Sequence, residues 1–214
     1  MKEKPQGNLE GSRIGALLKT RVAVILSNWV FQGMRYMNVY EISLKLALDI
    51  LLTAGILWLM SGPLSLYSFL GALIIAHTIN WIINGHIFVL MRYVYPVPKT
   101  LRDFDEYVCE FKRHAENAGY IDGVAIYGSY CRGQLHKYSD LDVRVIVGRG
   151  ILNGILGSLF CFKERLIAFF KVFPLDIYCC VETRSLSRLR DDEVPIILLD
   201  RSGILEKHYT NKEL

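Results

Sequence analysis

The sequence predicts an α+β protein: a small domain with a mixed sheet and flanking helices, preceded by a two-helix transmembrane hairpin. Three observations carry this. The apolar residues, 52% of the 214-residue chain, are concentrated between Leu44 and Val94. Beyond Pro96 and Pro98 the pattern changes to short apolar strands separated by longer helical stretches. Within that second half Gly128-Ser129 directly follows one strand, and Asp140 and Asp142 sit at the start of the next.

Residues 1–40 read as an N-terminal cytoplasmic or interfacial segment. The opening MKEKPQGNLEGSR reaches no long apolar run before Val22, late and short for a secretory signal, so no cleavable targeting segment is expected. The stretch Arg21 to Met34, RVAVILSNWVFQGM, sets Trp29 and Phe31 among apolar residues and reads as an interfacial helix. A short helix packed on the soluble domain is the alternative.

Residues 41–95 form the expected hairpin. Leu44 to Met60 is apolar except for Lys45 and Asp49, SGPLS follows, and Leu64 to Val94 carries no charge before Arg92. Crossing a hydrocarbon core takes about 20 helical residues. The second run is ample, and the first suffices if it begins near Glu41. Two helices apolar on nearly every face need cover all round, and the rest of the chain is too small to give it. Lipid is the better solvent. Lys2, Lys4, Arg13, Lys19, Arg21 and Arg35 precede the pair, Arg92, Lys99 and Arg102 follow it, and Ser61-Gly62-Pro63 between the helices has no charge. The positive-inside rule then makes this a multi-pass cell-membrane protein with both ends and the following domain cytoplasmic. Asp49 at mid-bilayer would cost about 2.5–3.5 kcal/mol, so it belongs near the interface or beside a partner such as His77. His77, Asn80 and Asn84 share one helix face, suited to hydrogen bonds with the neighbouring helix or to a lipid head group.

Residues 99–214 form the soluble domain. Leu101 to Ala118 is a partly amphipathic helix, Gly123 to Tyr127 a strand and Leu141 to Val147 a second strand. Ile151 to Val172 is mainly helical, Pro174 to Val181 a third strand, and Pro195 to Leu199 an edge strand. The formal net charge of +4 is spread along the chain, and nothing in it demands nucleic acid as a partner. The five cysteines form no CxxC pair and have no histidine at ligand spacing, which disfavours zinc and fits reduced thiols.

The stretch YGSYCRGQLHKYSDLDVRVIV holds the chemistry. Gly128-Ser129 follows a strand where a backbone can approach a polyanion and a helix can begin. Glycine removes the Cβ, and the serine hydroxyl and following amides can donate to phosphate. Arg132 falls on the same side, and Gly133 lets the chain turn away. Asp140 and Asp142, one residue apart, point to one face and can converge on two ions about 3.5–4 Å apart. Asp176 lies in the apolar strand PLDIY, where a lone charge wants a metal or a basic partner such as Arg144. Histidines 114, 136 and 208 read as surface residues, and Cys131 as a passive loop residue. The run Arg184, Arg188 and Arg190 reads as a solvated face answered by Asp191, Asp192 and Glu193.

At these residues the chain resembles the DNA polymerase β-like nucleotidyltransferase superfamily, and within it the minimal nucleotidyltransferase branch. The resemblance covers about residues 99–214. It implies that Gly128 and Ser129, with Arg132 and Ser139, contact a nucleoside triphosphate such as ATP. It also implies that Asp140 and Asp142 bind Mg2+, two ions being expected, with Asp176 as the third carboxylate, close to the acceptor. The function then expected is transfer of NMP from an NTP to a hydroxyl or phosphate. A short tether, Tyr95 to Lys99, keeps the site near the head groups and suggests a lipid-linked or membrane-protein acceptor. The competing reading is a non-catalytic nucleotide-binding module, a regulatory or antitoxin-like membrane partner. The third carboxylate favours the enzyme.

Overall fold

The computed structural model describes residues 20–60, 62–84, 98–136, 139–181 and 194–210. The arginine run at 184–190, its acidic neighbours, Arg92 and the tether at 95–97 lie outside them.

The first helix, α1 (Arg21–Phe31), is capped by Thr20, whose hydroxyl accepts from the Ala23 amide. A 3-10 turn (Met34–Tyr36) leads into α2 (Val39–Met60), and α3 (Leu66–Ile83) returns after a capping box in which Ser65 and Ser68 serve each other's backbone. The first apolar run thus gains the residues before Leu44 and reaches 22, about 33 Å of helix. The second run was expected to continue to Val94; its helix is described from Leu66 to Ile83, with Asn84 in a turn, and residues 85–94 lie outside the described residues.

Next come α4 (Leu101–Glu116), β1 (Ile121–Tyr127), β2 (Leu141–Val147), α5 (Ile151–Phe170), β3 (Leu175–Val181), β4 (Ile196–Asp200) and α6 (Ile204–Thr210). The strands form one mixed sheet in the order β3-β2-β1-β4. β1 pairs antiparallel with β2 and β4, and β2 pairs parallel with β3. Alternation sorts each strand's residues onto two faces. Val143, Val145, Ile177 and Cys179 pack into the main core with Phe104 and Phe111 of α4 and Phe160 of α5. Ile146, Cys180, Ala125 and Tyr127 face the other way, where Leu205 of α6 covers one end. Helix α6 was not expected. Asp200 creates it by accepting the otherwise unpaired amides of Ile204, Leu205 and Glu206.

Helices α2 and α3 are each long and apolar enough to cross a membrane, and their outward side chains are bare, Trp58 at 80% and Tyr67 at 86% exposure. Inside the pair the surface is polar. Glu41, Lys45, Asp49 and Thr53, spaced by one helical turn, form a buried stripe along α2. Asp49 meets His77 Nδ1 at 2.9 Å and accepts from Asn80 at 2.8 Å, and Asn80 also donates to the Lys45 carbonyl. The partner anticipated for Asp49 is thus the one found, and His77 and Asn80 hold helices together. Helix α1 packs on α3: Trp29 donates to Thr78, Trp81 to Asn28, and Gln32 to the His77 carbonyl.

The hairpin meets the sheet at β3. Its outer edge would leave backbone groups unpaired, and three side chains take them up. Glu41 accepts from the Cys179 amide, Asn38 donates to the Cys179 carbonyl, and Arg165 of α5 donates to the Ile177 carbonyl. Arg165 and Glu41 pair at 2.8 Å with side chains 5% and 1% exposed. Gly154 lets Tyr40 lie directly on α5, where a Cβ would overlap the ring. Removing one member of a buried pair strands the other, at a cost of about 3–5 kcal/mol, whereas replacing both by apolar residues is often neutral. Thermal unfolding of the full chain in detergent should therefore show Glu41→Leu and Arg165→Met each lowering Tm, and the double variant losing less than the sum of the two, while the Cys179 amide and Ile177 carbonyl stay unpaired. Additive losses would mean that the pair does not hold the hairpin to the sheet.

Candidate functional site

Three elements converge at one end of the face opposite the main core. β1 delivers Tyr127 opposite Asp142 of β2, and parallel pairing sets Asp142 opposite Asp176 of β3. Gly128, the first residue past β1, has φ +82°, and a Cβ there would overlap Asp142 Oδ2. Glycine is needed twice over, for the left-handed backbone and for the approach of the loop to the carboxylate.

The segment that follows is a chain of turns. Arg132 N reaches the Gly128 carbonyl at 3.4 Å, Gly133 N the Tyr130 carbonyl at 3.2 Å, and Gln134 N the Ser129 carbonyl at 2.9 Å. The helix expected after Ser129 does not form. One helical-type turn closes, and Gly133 in the left-handed region (φ +62°) takes the chain away. The loop is anchored from beneath, where the Cys131 thiol donates to the Ile126 carbonyl and Tyr130 donates to Asp105 of α4. Ser129 is half-buried and Arg132 exposed at its rim. Ser139 is buried, and its hydroxyl accepts from the His136 amide, which makes it a brace for the turn that presents Asp140.

Asp140 immediately precedes β2, so Asp142 is the only one of the two within the strand. Burial, then the charges of Asp140 and Asp176, push the Asp142 carboxyl up to about 8, with a hydrogen bond to Asp176 adding to the effect and Arg144 opposing it. Arg144 lies two residues along β2 on the same face. It donates to the Val143 carbonyl at 2.9 Å and stands 4.7 Å over the Tyr178 ring. Burial works against its charge, but Asp176 and Asp142 outweigh that and raise its pKa. Sequence reasoning named Arg144 only as a possible partner for Asp176 and passed over Tyr178. The signal was there in strand alternation, which puts positions 144 and 178 on the carboxylate face.

Crowded carboxylates of this kind suit a hard cation with oxygen ligands. Among the described residues no three His, Cys, Asp or Glu side chains form a ready-made metal cage. Mg2+ does not require one, since it keeps several waters and binds through one or two carboxylates plus substrate phosphates. The donor set therefore fits Mg2+. His114, expected at the surface, instead meets the buried carboxylate of Glu164 at 2.9 Å, away from the loop and strands that build the site.

Residues 106–194 match the family described as a nucleotidyltransferase domain. The match contains the loop, β2, α5 and β3, and supports nucleotidyl transfer in general. It excludes α1–α3, β4 and α6. No curated protein matches the chain.

The pH dependence of stability follows from Asp142. Between its ordinary value near 3.8 and about 8 the folded chain holds a proton that the unfolded chain has lost, so the group's contribution falls as pH rises through that window. Asp142→Asn removes this slope, and its Tm advantage over wild type should grow from pH 4.5 to pH 8 without added metal. Parallel Tm–pH curves would contradict the assignment.

Proposed function

We propose that the chain is a membrane-tethered nucleotidyltransferase that moves NMP from an NTP to a hydroxyl or phosphate of a membrane-associated acceptor and releases pyrophosphate. In this reading residues 1–40 are an N-terminal segment, 41–95 a membrane hairpin and 99–214 the catalytic domain. The observation that carries it is the register of Asp142 against Asp176, with Gly128 pressed on Asp142 from the adjoining strand. This arrangement brings a phosphate-binding backbone and a carboxylate pair to one point.

The donor lies over the loop. Gly128 leaves room for the triphosphate, the Ser129 hydroxyl and neighbouring amides donate to its oxygens, and Arg132 meets its outer charge. Asp140, Asp142 and Asp176 would hold Mg2+. When bound, two Mg2+ ions would neutralise the triphosphate and ease deprotonation of the acceptor. Asp142 must first give up its proton. Asp176, one strand further from the loop, orients the acceptor oxygen and stands ready to take its proton. The oxygen then attacks the α-phosphorus, forming the new P–O bond as the bond to pyrophosphate breaks.

Membrane tethering is supported by the bare apolar faces of α2 and α3. The sheet docks at Glu41, in the first turn of α2, so the domain stands at the end of the hairpin where α2 begins and α3 also touches α5. By the charge flanks that end is cytoplasmic, where NTP is available.

Purified full-length protein in detergent, given each α-labelled NTP with Mg2+ and a membrane extract, should label the membrane fraction. Asp140→Ala and Asp142→Ala should each lower transfer at least about a hundredfold with the fold intact. Asp176→Asn should lower kcat more than NTP affinity. Undiminished transfer in the Asp140 or Asp142 variants would remove these residues from the site, and NTP binding without transfer by wild type would favour a non-catalytic binding module.

A further inference from the structure

The order of elements across the sheet gives the site a direction. The loop after β1 lies on one side, Asp142 of β2 is next, Asp176 follows on β3, and β3 is the sheet edge. A donor over Gly128 therefore leaves its acceptor on the β3 side. What lies beyond β3 is the junction between α1 and α2, which leads into the hairpin and falls outside the nucleotidyltransferase match.

That junction is held firmly. Gln32 (φ 45°) and Gly33 (φ 73°) reverse the chain in two consecutive left-handed steps, an expensive conformation for glutamine. Gln32 is fully buried and donates to the His77 carbonyl at 3.0 Å, and Asn38 donates to the Cys179 carbonyl at 2.9 Å. The turn between them is thus pinned to α3 at one end and to β3 at the other. It presents Tyr36, whose ring centroid lies 5.9 Å from that of Tyr178 although the residue is 59% exposed. Tyr178 follows Asp176 by two positions, so both project from the same face, and Arg144 covers the Tyr178 ring from β2. The core needs no tyrosine in so open a position.

We infer that the Met34–Tyr36 turn is the acceptor wall of the site, and that Tyr36 binds a membrane-borne hydroxyl or phosphate compound and positions it beside Asp176. The inference rests on the nucleotidyltransferase reading. It also explains why hairpin and sheet are locked together, since the acceptor half of the site is contributed by the membrane half of the chain.

The test uses full-length protein in detergent with the best-labelled NTP and a titrated membrane extract. Tyr36→Ala should leave the NTP KM within about twofold and raise the amount of extract needed for half-maximal transfer about tenfold, the loss of one aromatic contact. Tyr36→Phe and Tyr36→Trp, which keep a ring, should stay within about threefold of wild type. An extract dependence unchanged in Tyr36→Ala, or an NTP KM raised as much as the acceptor term, overturns this inference alone. A wild-type chain that transfers from no NTP overturns the nucleotidyltransferase reading and this inference with it.

Discussion

The buried pair between Glu41 and Arg165 is the joint on which the molecule depends. β3 is an edge strand, and its open side would expose unpaired backbone groups beside the strand that carries Asp176. The start of α2 closes it with an acid and an amide, and α5 with an arginine, each aimed at a specific amide or carbonyl of residues 177 and 179. The pair contributes little net energy, because desolvating both charges nearly offsets their attraction. Its value is geometric. A carboxylate that must accept from one amide and pair with one guanidinium fixes the register of α2 against β3 far more tightly than apolar contact would.

This joint makes the two halves of the chain one structural unit. A sheet domain cut at Lys99 would leave Arg165 without Glu41 and the β3 edge uncovered, inviting strand pairing between molecules. From the joint, polar contacts run both ways. Into the hairpin they pass by Lys45 to Asp49, His77 and Asn80. Toward the site Arg165 and Arg144 both lie against the Tyr178 ring, at 5.8 and 4.7 Å. Arg144 in turn limits how far burial and the charges of Asp140 and Asp176 raise the Asp142 carboxyl. Burial and like charge thus both work against full ionisation of this carboxylate cluster.

Much of the sheet domain was legible in the sequence because its information is local. β2 is Leu141–Val147 as its alternation predicts, and β1, α5 and β3 differ from expectation only at their ends. The facing of Asp142 follows from the same period of two. The long-range terms were not legible. Glu41 and Arg165 are 124 residues apart, and no periodicity links them. Tyr36 drew no reading from the sequence, because its partner, Tyr178, lies far along the chain. The helix expected after Gly128-Ser129 failed for a local reason that the sequence did contain: Gly133 ends the turn. His114 was misjudged because Glu164, its partner, is hidden on an apolar helix.

The proposed function makes the crowded carboxylates around Asp142 the receptor for a cation-bound nucleotide. Calorimetric titration of full-length protein in nanodiscs with Mg2+ and a non-hydrolysable NTP, repeated in two buffers of different ionisation enthalpy at pH 7, measures the protons released on binding. With Asp142 pushed up to about 8, close to one proton per nucleotide should leave, and Asp142→Asn should release none. Tight binding without proton release by wild type, or undiminished binding by Asp142→Asn, would contradict the claim.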